Sequence, residues 1–167
     1  NPPPKQVLYA CDRLGMLVID EALDMWQQPK NPQDYHLYFD DWWQRDLTSF
    51  ILRDRNHPSV IFWSIGNEIR ERADSSGLQI ENSLIKKVRE LDETRPVTES
   101  PWECWEQKGL TWDNSTYALA LLDLGGYNYQ WKQHESDHQK YPTRIMMGTE
   151  SFAKEAFENW QQAMKHP

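Results

Sequence analysis

Cysteine is scarce: Cys11 and Cys104 are the only two in 167 residues, too few for a disulfide framework and without the spacing of a metal site. Both read as buried thiols. Basic tracts are missing as well. The 18 Lys and Arg stand against 26 Asp and Glu, a net charge of -8, so nothing tracks a phosphate backbone and nucleic acid is not an expected partner. No apolar run approaches the length that crosses a bilayer, and the opening Asn-Pro-Pro-Pro lacks the basic and apolar regions of a signal peptide. A membrane is therefore not an expected partner either. Low-complexity linkers and internal repeats are absent, and the length fits one domain with a real core.

What is abundant is aromatic: nine Trp, seven Tyr and five Phe in an otherwise hydrophilic chain. Flat faces of this kind build a core or stack on sugar rings, and composition does not choose between them. The most informative stretch is His57 to Glu68. Val60, Ile61, Phe62, Trp63 and Ile65 form a near-continuous apolar segment, as in a parallel strand covered on both faces. Pro58 sits at its entrance, where no ladder donor is needed. Gly66 breaks the run, and Asn67 and Glu68 arrive where the strand leaves the sheet, the end at which parallel α/β architectures bind ligands. The plainer alternative is that Asn67 and Glu68 cap the next helix.

The rest of the chain alternates helical and strand patterns. Val7, Leu8, Cys11 and Leu14 share one helical face before Gly15, and Met16 to Asp20 is a short strand ending in Asp20-Glu21. Residues 22 to 36 read as a packed or functional loop. A helix from about Leu37 to Arg55 leads into the central strand, and another follows over Gly77 to Leu91. Val97 to Glu99, Gly125 to Tyr129 and Arg144 to Thr149 read as further strands, the last followed by Glu150. A polar helix covers 131 to 140, and an amphipathic helix runs through Phe157, Trp160 and Met164. This βαβ alternation predicts an α/β fold with about five parallel strands.

Right-handed crossovers put all five strand ends on one sheet edge. Asp20-Glu21, Asn67-Glu68, Glu99, Tyr127-Asn128-Tyr129 and Glu150 should therefore converge. Paired carboxylates in different environments are the equipment of glycoside hydrolysis, one protonating the leaving oxygen and one attacking the anomeric carbon. Taken singly, each acid is equally readable as a solvated cap, Glu21 and Glu99 above all.

The segments Cys11 to Glu21, Arg53 to Val60 running on to Ser64-Ile65-Gly66-Asn67-Glu68, Thr94-Arg95-Pro96-Val97-Thr98, and Gly148-Thr149-Glu150-Ser151, in that order, resemble glycoside hydrolase family two, and within it bacterial β-galactosidases most nearly. The resemblance implies a partial TIM (β/α)8 barrel, with strands three to seven present over residues 1–167, and strands one, two and eight and the flanking β-sandwich domains outside this chain. It implies a retaining exo-β-glycosidase without cofactor or metal, acting on a carbohydrate substrate, with β-galactosidase the first expectation and β-glucuronidase or β-mannosidase the alternatives. Carried over by motif, Glu68 matches the acid/base and Glu150 the nucleophile. Asn67 matches the residue that binds near the sugar 2-hydroxyl, and Tyr129 a tyrosine beside the nucleophile. Asp20, Glu21 and Trp102 join them as candidate sugar contacts, with Trp105, Trp112 and Trp131 as further stacking candidates. The resemblance also suggests a periplasmic or extracellular setting and an oligomeric parent, and the chain by itself is expected to self-associate and be inactive.

Two readings of other classes compete. His134-Glu135-Ser136-Asp137-His138 satisfies the H-E-x-x-H zinc pattern, with Glu155 or Glu158 as a third ligand. Its polar flanks and the stop at Pro142 read instead as a solvated helix face. A non-catalytic carbohydrate-binding module would use the Trp content but leaves the converging acids without a role.

Overall fold

The computed structural model describes residues 2–101 and 109–165. Strands β1 (Val18–Glu21), β2 (Val60–Asn67), β3 (Val97–Ser100), β4 (Leu124–Asn128) and β5 (Met146–Glu150) form one sheet in sequential order. Every neighbouring pair is parallel. Helices α1 (Lys5–Leu14), α2 (Phe39–Asp54), α3 (Ser75–Leu91), α4 (Thr116–Leu119), α5 (His134–Lys140) and α6 (Ala156–Lys165) lie in the connections and after the last strand. This is part of a (β/α)8 barrel, and it places all five carboxyl ends on one edge as the crossover rule requires.

Local chemistry explains the element boundaries. Gly15 closes α1 in the left-handed region (φ 68°), its N–H donating to Cys11 O. Asp74 caps α3 by accepting the Gly77 N–H at 2.8 Å. A Cβ on Gly77 would stand 1.9 Å from the Glu71 carbonyl oxygen, so only glycine lets α3 pack against the turn before it. The main core fills the space between the sheet and α2 and α3. Trp63 and Ile65 of β2 meet Leu47, Phe50 and Ile51 of α2 and Leu84, Ile85 and Val88 of α3, all buried. Phe50 and Trp63 pack edge to face at 5.4 Å. Each such side chain contributes about 1.5–3 kcal/mol relative to exposure. A smaller cluster of Trp112, Leu119 and Tyr127 supports β4.

Several expectations need correction. The first strand begins at Val18 rather than Met16, which is 58% exposed. On α1 only Leu8 is buried, while Val7 and Leu14 face solvent. The apolar stripe of α6, Phe157, Trp160 and Met164, is likewise exposed. The sequence offers Val18, Ile61, Trp63 and Met146 as candidates for the inward face of the sheet; Val18, Trp63 and Met146 instead pack toward the helices. Cys11 is half-buried rather than buried; Cys104 lies outside the described residues. His134, expected on a solvated face, is buried with its ring 5.1 Å from that of Tyr127. Among the described residues, no helix is long and apolar enough to cross a membrane.

Candidate functional site

The concave face of the sheet carries a hollow of about 340 Å³ at the strand ends, lined along β1 from Val18 to Glu21 and beyond it by residues that include Ser64, Asn67, Asn128 and Glu150. Its centre is Asn128, at the last residue of β4. The side-chain amide nitrogen of Asn128 lies 2.9 Å from Glu150 Oε1, 3.2 Å from Glu68 Oε1 and 2.9 Å from Asn67 Oδ1. Thr149 Oγ1 donates to Asn128 Oδ1 at 2.6 Å, which orients the amide with its hydrogens toward the two acids. Because one nitrogen touches both carboxylates, Glu68 Oε1 and Glu150 Oε1 are separated by no more than the two contact distances laid end to end, about 6 Å.

The two acids are held differently. Glu150 takes the Asn128 amide on one oxygen and the Tyr129 hydroxyl on the other, at 2.5 Å, so a donor reaches each of its oxygens. Glu68 is half-buried. Burial, and the Glu150 charge beside it, raise its pKa above the usual carboxylate value, while the Asn128 hydrogen bond opposes them. Hydrogen bonding to Glu150 lifts Tyr129 to about 12, so the phenol keeps its proton and remains a donor.

Backbone strain marks the same corner. Glu68 (φ 50°) and Tyr129 (φ 59°) are the non-glycine residues with positive φ among the described residues. Such positions cost about 1–3 kcal/mol each and persist where surrounding structure fixes them. Here the Glu68 N–H donates to Ser100 O at 2.9 Å and the Tyr129 N–H to Glu150 O at 2.8 Å. The loop after β1 adds a further anchor. Lys30 Nζ donates to Asn67 O at 2.7 Å and to Asp24 Oδ1 at 2.8 Å, and Asp24 Oδ1 also takes the Asn67 amide at 3.3 Å. Glu71 fastens that loop by accepting the Gln27 and Gln28 N–H groups.

Of the sequence-derived candidates, Asn67, Glu150 and Glu21 line this hollow, Glu21 accepting from Ser64 Oγ at 3.1 Å, while Glu68 and Tyr129 reach it through their hydrogen bonds with Asn128 and Glu150. Asp20 does not present its acid there. Both carboxyl oxygens are buried on the helix side beside Asp54 of α2, and burial together with that neighbour raises Asp20 to about 7. Glu99 also turns to the helix side and is fully buried. Trp112 is a core residue donating to Asp137, and Trp131 donates to Glu155, the acid offered as a third zinc ligand. Among the described residues, no group of three or more His, Cys, Asp or Glu side chains is gathered as a metal ion needs. Trp102 and Trp105 lie outside the described residues.

Sequence reasoning passed over Thr149, Lys30 and Asp24, and named Asn128 only within a converging strand-end triplet, without a role; Lys30 and Asp24 sit in a loop whose path the sequence does not show. Phe152 was passed over too, its ring stacked on Tyr129 with centroids 4.6 Å apart.

Comparison with known proteins agrees with this geometry. The family model for glycosyl hydrolases family 2, TIM barrel domain, matches residues 1–166. A β-galactosidase of Bacteroides ovatus is 39% identical over 90% of the chain and 21% of its own length. A putative β-glucuronidase of Formosa agariphila is 39% identical over 59% of the chain and 9% of its length. The crystal structure of a glycosyl hydrolase family 2 member from Bacteroides cellulosilyticus superposes with a TM-score of 0.91 at 46% identity, over 99% of the chain and 20% of that protein. The chain thus spans about a fifth of the length of the first of these relatives and of the solved structure. With the motifs, the parallel sheet and the family model in agreement, the chain belongs to the TIM barrel domain of glycosyl hydrolase family 2.

Proposed function

We propose that this chain is the part of a longer glycosidase's catalytic barrel that supplies both reacting carboxyls, and that the enzyme is a retaining exo-β-glycosidase acting on β-galactosides. The observation that carries this is the single amide of Asn128 touching both acids. Oε1 atoms at most about 6 Å apart suit the roughly 5–5.5 Å between the carboxyls of retaining enzymes. In this scheme Glu150, held as an anion by Asn128 and Tyr129, attacks the anomeric carbon. Glu68, whose raised pKa favours the protonated form, gives its proton to the departing oxygen. Water then enters, Glu68 takes its proton, and the glycosyl–Glu150 bond breaks. Asn67, its amide oriented by Asp24 and Asn128, is placed to meet a sugar hydroxyl.

The galactoside assignment draws on the Bacteroides ovatus relative, named a β-galactosidase. β-Glucuronidase is the second reading, supported by the relative of that name. Labelling of the full-length protein with 2-fluoro-galactoside and 2-fluoro-glucuronide, followed by peptide mapping, tests both points. Label on Glu150 from the galactoside is expected. Label on any other residue would sink the mechanism, and labelling by the glucuronide alone would sink the sugar assignment.

A further inference from the structure

Behind the Asn67–Glu68 corner, on the helix side of the sheet, lies a charge cluster that the proposed reaction does not use. Glu99 of β3 and Glu81 of α3 are both fully buried, and Arg72, on the 3₁₀ turn after Glu68, is nearly so. Among the described residues, no hydrogen bond of ordinary geometry reaches any of the four carboxyl oxygens. Burial raises Glu99 to about 7 and Glu81 to about 9, with Arg72 opposing in both cases. Packing alone gives no reason for such groups, since apolar side chains of the same volume would fill the space without the desolvation cost.

Position supplies the reason. A Cβ on Gly66 would lie 3.3 Å from Glu99 Cγ and against the Ile69 side chain, so Glu99 fills the space directly behind the Gly66–Ile69 corner. The next residue of β3, Ser100, accepts the Glu68 N–H. From the other side Arg72 donates to Ile69 O and to Ser115 Oγ. The residue between these grips is Glu68, in its left-handed conformation. Arg72 also acts on Glu68 through its charge, opposing the effect of burial.

We propose that Glu99, together with Arg72, is a positioning residue for Glu68, holding the Gly66–Ile69 corner from behind in the bend that aims the Glu68 carboxyl at the leaving-group oxygen. This rests on the assignment of Glu68 as the acid/base. In the glycosylation step, which kcat/KM reports, it makes Glu99 and Arg72 matter only where a proton must be delivered. An alkoxide leaving group needs that proton, whereas a dinitrophenolate departs without it.

The test compares methyl and 2,4-dinitrophenyl β-glycosides of the sugar that the full-length protein cleaves, in E68Q, E99Q and R72M, with active sites counted by fluoro-sugar labelling. For E99Q and R72M, kcat/KM on the methyl glycoside falls about tenfold, part of the ~10²–10⁴ that general acid catalysis supplies. On the dinitrophenyl glycoside it stays within about twofold, because no general acid is needed there. In R72M the basic limb of the methyl-glycoside profile moves to higher pH. Equal losses on both substrates, or no loss, would overturn the proposal while E68Q still discriminated between them. An E68Q that fails to discriminate would overturn the acid/base assignment and the proposal with it. Should E99Q not fold, R72M decides by the same criteria.

Discussion

Tyr129 grips Glu150 twice: its hydroxyl donates to Glu150 Oε2 at 2.5 Å, and its backbone N–H donates to the Glu150 carbonyl oxygen at 2.8 Å. The backbone bond belongs to the strand end and survives substitution, whereas the phenolic bond is charge-assisted and vanishes in Tyr129→Phe. A hydrogen bond to a charged group is worth about 1.5–3 kcal/mol, or roughly 10- to 150-fold in rate. Tyr129→Phe in the full-length protein should therefore lower kcat by that order with the fold intact. Unchanged kcat under saturating substrate would show that Tyr129 does not act on the nucleophile.

Lys30 offers a separate electrostatic test. It makes no hydrogen bond to Glu68 in this structure, yet its positive charge opposes the rise in Glu68 pKa that burial causes. Removing that charge in Lys30→Met leaves the rise less opposed, so the folded-state pKa of Glu68 goes up. As the acid form of Glu68 is the one that donates, the basic limb of kcat/KM should move to higher pH in Lys30→Met. A limb that moves down, or stays, would detach either Lys30 from Glu68 or Glu68 from that limb.

Asp20 and Asp54 make a prediction about stability. Asp20 is lifted from the ordinary 3.8 to about 7 by burial and by the Asp54 carboxyl. Below the unfolded value both states hold the proton and nothing is lost. As pH rises from about 4 to about 7 the unfolded chain releases a proton that the folded chain keeps, so stability falls across that window and the loss is complete above it. Asp20→Asn removes the titration and can donate to Asp54. Its thermal midpoint should drop less between about pH 5 and pH 8 than that of the wild type. Equal drops would place the pH sensitivity elsewhere.

How much of this was legible follows from what each signal contains. The β2 run from Val60 to Ile65 names its own strand, and Glu68 and Glu150 follow from their position after apolar segments. Which way a strand-end acid points is a different matter. Asp20 pairs with Trp63, and Trp63 with Val97, so period-two alternation sends Asp20 and Glu99 to the helix side with those apolar residues. Ser64 and Asn67 both line the hollow although they are three apart, because the register shifts between them. An irregularity of that kind leaves no mark in the residue types, so counting along β2 misassigns the faces. Asn128 was placed at the right strand end but given no role for another reason: its importance lies in the acceptors it meets, Asn67, Glu68 and Glu150, and distant contacts of this sort have no local pattern.

The last prediction concerns the 167-residue chain by itself. In this sheet β1 and β5 are the edges, each with one row of backbone donors and acceptors that no neighbouring strand among the described residues pairs. Unprotected edges of this kind recruit other strands. Apolar surface lies beside them: Leu17 is 70% exposed and Ile19 40% next to β1, Ile145 64% before β5, and Phe157, Trp160 and Met164 on α6 are each more than half exposed. Large apolar side chains left exposed at both unpaired edges favour association. Among the described residues the hollow at the strand ends is walled by the five strands and Pro3 alone, so a bound sugar would remain in contact with water. The isolated chain should therefore self-associate, giving a scattering mass above 19.9 kDa that grows with concentration, and should hydrolyse no aryl glycoside. Full-length protein assayed alongside supplies the positive control. A monodisperse monomer would mean that the edges and apolar faces are protected by a rearrangement of α1 and α6, and turnover by that monomer would show that Glu68, Glu150 and Asn128 suffice without further walls.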